Sequence, residues 1–108
     1  MAVSDEQIAF VRDLFRELSA ISTRKMFGGL GIYSEGVIFA IIGPEETLLI
    51  KARGQLAEDL AAEGCEQWSY DGKSGKPSVM PYWSLPDAAL DDPDEACAWA
   101  RRSLAECA

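Results

Sequence analysis

Residues 37 to 42 read Val-Ile-Phe-Ala-Ile-Ile, six apolar positions with no polar interruption. Ser34-Glu35-Gly36 precedes them and Gly43-Pro44-Glu45-Glu46 follows, so turn chemistry closes the run at both ends. The run is far too short to cross a bilayer, and β-branched and aromatic residues suit a pleated strand. An unbroken apolar strand is expected to be covered on both faces, or nearly so. It therefore needs strand neighbours on each side. Thr47 to Lys51 supplies one. Leu30 to Tyr33 supplies the other, with Thr23 to Phe27 extended before it. A meander of antiparallel strands is the economical arrangement.

Helical patterns surround this sheet. Ser4-Asp5-Glu6-Gln7 has the form of a capping box. Ile8, Val11, Phe15 and Leu18 recur behind it at helical spacing, which predicts a helix over residues 5 to 19. Leu56, Leu60 and Ala57/Ala61 mark a second helix, Gln55 to Glu63, with Gly64 where a C′ glycine belongs. Glu66 to Tyr70 and Ser78 to Trp83 form a second hairpin around a polar loop, residues 71 to 76. Asp92 as N-cap, Pro93 at the first helical position and Glu95 at the third announce the last helix. Its apolar stripe is Cys97, Ala100, Leu104 and Cys107. The order is α-β-β-β-α-β-β-α, an α+β fold with helices segregated from a largely antiparallel sheet. At 108 residues, one domain over residues 1–108 is expected.

The chain is 48% hydrophobic and 26% charged, with 18 acidic against 10 basic residues, a formal charge of −8 and no histidine. That balance disfavours direct DNA binding, which draws its affinity from cations at phosphates. Cys65, Cys97 and Cys107 are an odd set without CxxC spacing. On one helix, Cys97 and Cys107 would lie roughly 15 Å apart, too far to bridge. Reduced thiols, no membrane segment and a cytoplasmic location are the expectation.

Residues 24 to 31, Arg-Lys-Met-Phe-Gly-Gly-Leu-Gly, raise the question of a phosphate cradle. A dinucleotide fingerprint needs a third glycine and a helix behind it, whereas Ile32-Tyr33-Ser34 is strand-like. Gly28 and Gly29 read instead as structural glycines that bend or bulge the chain between strands. Residues 72 to 77, Gly-Lys-Ser-Gly-Lys-Pro, lack the first glycine and the final Ser or Thr of a phosphate loop. Without histidine no Ser-His-Asp or Cys-His constellation can form. The acidic run Asp91-Asp92-Pro93-Asp94-Glu95 lacks the alternation of a calcium loop and is explained by capping. No catalytic, cofactor-binding or metal-ligating residue is nominated.

Two features point outward. Met80-Pro81-Tyr82-Trp83 puts large side chains on both faces of one strand. Core packing with an edge proline is the favoured account, and an aromatic contact surface through Tyr82 or Trp83 is its competitor. The cations Arg24, Lys25, Lys51, Arg53, Lys73 and Lys76 all fall in the sheet region, while residues 87 to 108 hold six acids against two arginines. Solvated edge-strand cations explain them, with a partly basic interaction face as the alternative.

Taken together, Arg24-Lys25-Met26-Phe27-Gly28-Gly29-Leu30-Gly31-Ile32-Tyr33, Gly36 to Ala40, Leu49-Ile50-Lys51-Ala52, Met80 to Pro86 and Leu90-Asp91-Asp92-Pro93 running into Trp99-Ala100-Arg101 resemble the TfoX/Sxy N-terminal domain family. The resemblance covers about residues 8 to 105. It implies a small α+β domain with helices around a curved antiparallel sheet, no enzymatic activity and no cofactor. It also implies a link to bacterial natural competence, where two-domain members act as transcriptional coactivators with a cyclic-AMP receptor-type regulator. This chain departs from relatives at Arg53-Gly54, where they carry an acidic helix cap; full competence regulators continue into a second helical domain, and residues 1–108 are expected to correspond to the N-terminal domain alone. The resemblance implies a protein partner, with the transcription machinery the class to test first and a homodimer left open. The alternatives are a direct nucleic-acid binder and, third, a small-molecule or metal-dependent enzyme.

Overall fold

The computed structural model of the chain describes residues 4–26, 29–43, 47–71 and 77–107. The elements are α1 (Asp5–Leu14), β1 (Ile21–Met26), β2 (Gly29–Ser34), β3 (Val37–Ile42) and β4 (Leu48–Lys51). They are followed by α2 (Gly54–Ala62), β5 (Gln67–Asp71), β6 (Pro77–Ser84), α3 (Asp87–Leu90) and α4 (Pro93–Cys107). The α+β class and the order expected from the sequence hold, with the first extended segment divided into two strands and a four-residue helix added before α4. All six strands join one antiparallel sheet in the order β1-β2-β3-β4-β6-β5.

The capping box at Ser4 forms as its sequence predicts: the Gln7 N–H donates to Ser4 Oγ at 3.2 Å and the Ser4 N–H to Gln7 Oε1 at 2.9 Å. The helix itself ends at Leu14, five residues before the expected end. Beyond it the chain tightens into three-residue turns, Arg16 N–H to Asp13 O and Leu18 N–H to Phe15 O. Ala20 then takes a left-handed φ of 47°. Ser34 Oγ donates to Ser19 O at 2.6 Å, and the Glu35 N–H donates to Ala20 O, so the hairpin between β2 and β3 holds this turn. Phe15 and Leu18 are buried all the same, since the turns keep them on the core side.

One core forms between a single face of the sheet and all the helices. It joins Val11, Leu14 and Phe15 to Leu56 and Leu60, to Ala89, and to Ala96, Cys97 and Ala100. From the sheet it takes Leu30, Ile32, Phe39, Ala40, Ile42, Leu48 and Ile50. Strand β3 contributes adjacent residues because the β2–β3 register slips between Ile32 and Tyr33, leaving Phe39 as the extra residue. Such a bulge turns two successive side chains toward one face. Phe39 meets Phe15 edge-to-face, with ring centroids 5.0 Å apart. The expected cover on both faces is therefore only partial: Val37 is exposed and Ile38 and Ile41 are half-buried.

The last helix approaches the sheet through small residues, and Ser103 completes the contact. Its Oγ lies 2.6 Å from Lys51 O and 3.4 Å from Phe39 O. The β3–β4 ladder stops at Ala40↔Ile50, so these carbonyls fall just past its end. A buried carbonyl needs a donor, and the serine hydroxyl supplies it. Asp92 caps α4 as expected, accepting the Asp94 N–H at 3.0 Å. Arg102 ties α4 to α2 through Asp59 at 2.7 Å. Pro81 is not on an edge, because β6 lies between β4 and β5. It is tolerated because the ladder with β4 ends at Lys51↔Tyr82 and the register with β5 slips alongside it.

Candidate interaction face

The second face of the sheet is set by alternation. If Ile32, Ala40 and Ile50 point to the core, their neighbours Gly31, Ile41 and Leu49 point away from it. The registers line these up in one row across five strands: Arg24↔Gly31, Gly31↔Ile41, Ile41↔Leu49 and Leu49↔Ser84. A neighbouring row holds Tyr33↔Ile38 and Lys51↔Tyr82. Tyr33, Ile38, Ile41 and Tyr82 are half-buried and do not belong to the core. Leu49 is only 5% exposed, yet it too stands outside the core cluster. A second, smaller apolar patch thus lies on the face that none of the described helices packs against.

Burial pushes the Tyr82 hydroxyl pKa up, the Tyr33 hydroxyl adds to the rise, and the Arg53 guanidinium opposes it. The Arg24 guanidinium lies over the Tyr33 ring, 6.0 Å from its centroid. Beside it Ser22, Thr23, Arg24, Tyr33 and Gly36 line a depression of about 280 Å³.

Four of the six residues nominated from sequence meet here. Arg24 is exposed, Lys51 half-buried and directly opposite Tyr82, and Arg53 exposed at the N-cap of α2 without a side-chain capping bond. Among the described residues the ion pairs are Arg16–Asp13, Arg102–Asp59 and Arg102–Glu106, so Arg24, Lys51 and Arg53 keep no carboxylate partner. The other two nominees lie apart. Lys25 pairs with Leu30 and is exposed on the helix side of the edge strand. Trp83 pairs with Ile50 and packs against the core, where its Nε1 is buried and finds no hydrogen-bond partner among the described residues.

Gly29 is buried at the start of β2, paired with Met26, while Gly28 lies outside the described residues. The strand that follows Gly29 leaves no helix N-terminus for a pyrophosphate. Lys73 and Lys76 also lie outside the described residues. Tyr33, Ile38, Ile41 and Leu49 were not singled out from sequence as surface residues. The signal was present in the same apolar runs: a strand that is apolar at every position must present apolar side chains on both sides.

Cys65 and Cys97 are free thiols, and burial raises the pKa of both. Cys97 Sγ donates to Leu14 O at 3.5 Å. Among the described residues no group of His, Cys, Asp and Glu is placed to hold a metal ion, and no helix is long and apolar enough to cross a membrane. A wider depression of about 480 Å³ on the helix side is lined by Glu63, Asp94, Glu95, Ala98, Trp99 and Arg102. Arg102 already lies over the Trp99 ring, 5.7 Å from its centroid.

In comparison with known proteins, the family described as TfoX N-terminal domain matches residues 13–107. No curated protein matches the chain.

Proposed function

We propose, from the premise that the chain belongs to the TfoX N-terminal domain family, that it is a non-enzymatic regulatory domain that works by binding another protein. The family is a regulatory one associated with competence and is not a known enzyme family. The observation that carries the binding role is the sheet face that none of the described helices covers. Tyr33, Ile38, Ile41 and Tyr82 make a half-buried apolar patch there, around the buried Leu49. Apolar patches rimmed by polar groups mark interaction sites on soluble proteins. Tyrosine and arginine, both present here, are the residue types most enriched where partners dock. Control of transcription in competence is the process in which this binding acts, with a component of the transcription machinery as partner.

Nucleic acid is the second reading, because aromatic side chains and cations on an open sheet can take single strands by stacking. The position of Arg24 argues against it, since the guanidinium already lies over the Tyr33 ring. The test is site-specific photo-cross-linking in the source cells, with the photoreactive residue placed at Ile38, Tyr82 or Ala98. An adduct with a discrete polypeptide is expected from Ile38 and Tyr82 and not from Ala98. Adducts from Ala98 alone, or none at any position, would remove this assignment.

A further inference from the structure

The cations on the open face sharpen what the partner must look like. Arg24, Lys51 and Arg53 surround the apolar patch, and none has a carboxylate partner among the described residues. They do so on a chain of net charge −8, in which acids outnumber bases 18 to 10. Lys51 is half-buried and directly across from Tyr82, so its side chain is rooted beside the patch. Ser103 fixes the position of its backbone from behind, through the 2.6 Å bond to Lys51 O. At the other end of the patch, the depression beside Arg24 offers a guanidinium, the Tyr33 ring and the hydroxyl residues Ser22 and Thr23. That is the chemistry of a carboxylate receptor.

We infer that the open face takes an acidic peptide segment of another protein. Carboxylates of that segment are set against Arg24 at one end and Lys51 and Arg53 at the other, and a large apolar side chain lies on Ile38 and Ile41 between them. This rests on the protein-binding reading above. A second copy of the chain does not fit as occupant. Two-fold pairing places a patch against itself, which would set Arg24, Lys51 and Arg53 of both copies face to face. Like charges so juxtaposed oppose association.

The experiment uses the full chain and three fluorescent probes, read by anisotropy at low and high salt. The probes are a peptide alternating Glu and Leu, the same peptide with Gln for Glu, and a single-stranded oligothymidylate. The acidic peptide should bind at least about tenfold tighter than its neutral counterpart, and the margin should shrink as salt screens the charges. Arg24→Gln with Lys51→Gln should erase the margin, while Lys25→Gln, on the other side of β1, should leave it intact. Circular dichroism melts establish that each variant is folded. Equal binding of the acidic and neutral peptides would overturn the inference while leaving the protein-binding role standing. So would a margin lost equally in Lys25→Gln, or self-association abolished by the double variant. Tighter binding of the oligothymidylate would overturn both. No peptide binding, alongside cross-links from Ile38 and Tyr82, would overturn the acidic-peptide inference alone.

Discussion

The two faces of this sheet are built from the same strands and differ in what covers them. On the helix side, Ile32, Ala40, Ile50, Leu56 and Leu60 are fully buried within one continuous cluster. On the open side, Ile38, Ile41, Tyr33 and Tyr82 stop at half-burial, while Gly31 and Leu49 are closed off. The first face stabilises the fold. The second contributes less to stability than its composition suggests, because its apolar area is still partly in water. An apolar strand with both sides nonpolar but only one side covered leaves area available for association. Arg102 is paired with Asp59 and Glu106 on the helix side, while on the other Arg24, Lys51 and Arg53 have no carboxylate partner among the described residues.

The contrast breaks first at Phe39, the bulge residue whose ring meets Phe15. Phe39→Ala should cost about 3–5 kcal/mol, as expected for an aromatic removed from a closed core. Urea unfolding would measure it, and a cost below about 1 kcal/mol would mean the core face is looser than its burial shows. Ser103→Ala comes next. It removes the donor to Lys51 O and Phe39 O and should cost roughly 1–3 kcal/mol, the range for a buried acceptor left without a partner. Because Ser103 holds Lys51 from behind, this variant also tests whether the two faces are coupled. Acidic-peptide affinity should fall with it even though the serine touches no ligand.

Ser103 also shows where reading the sequence runs out. The order of elements along the chain, both hairpins and the capped helices are local signals, and Ser4, Gln7, Asp92 and Pro93 stand where their chemistry places them. A polar residue on the apolar stripe of α4 gave no such signal. Its role depends on a ladder that ends at Ala40↔Ile50, which only the bulge at Phe39 decides. The same bulge decides which of residues 37 to 42 face the helices. The end of α1 was missed for a similar reason: Ser34, fifteen residues on, takes Ser19 O and settles the turn. Of the candidate face, Arg24, Lys51, Arg53 and Tyr82 were legible as cations and an aromatic near strands. That Lys25 and Trp83 belong to the opposite side follows from register, a long-range property that alternation alone cannot fix without knowing which face is covered.

Gly36 gives a smaller effect on the boundary between the faces. It and Glu35 form the two-residue turn joining β2 to β3, both with positive φ, 82° and 50°. That pattern is the primed turn suited to the twist of a hairpin. No atom lies within 4 Å of where a Gly36 Cβ would stand, so Gly36→Ala is opposed by backbone conformation alone. A loss of roughly 1 kcal/mol is expected, or several degrees in Tm. Glu35→Asn should move Tm the other way, since asparagine tolerates the left-handed region better. On the open face Ile38→Ser should cost less than about 1 kcal/mol while lowering peptide affinity. A large stability loss there would show that the open face is closed by something the helices do not supply.

The smallest effect is electrostatic and lies entirely on the helix side. Glu17, in the turns after α1, faces Asp94 at the start of α4. Hydrogen bonding to Asp94, the Asp94 charge and desolvation raise the Glu17 pKa, with Arg101 and Arg16 opposing. A raised carboxylate pKa means the folded state holds its proton more tightly than the unfolded state does. Stability is therefore higher below the ordinary glutamate range, falls as pH rises through the raised value, and stays lower above it. Glu17→Gln keeps a hydrogen-bond donor for Asp94 and removes the repulsion. Its Tm should exceed that of the parent chain at pH 7, by less than any change above, because both groups are in solvent. The difference should close as pH falls below the ordinary glutamate value, and the open face should not respond at all. If Glu17→Gln also altered acidic-peptide binding at pH 7, the helices and the open face would be linked through more than Ser103, and the division between the two sides would have to be redrawn.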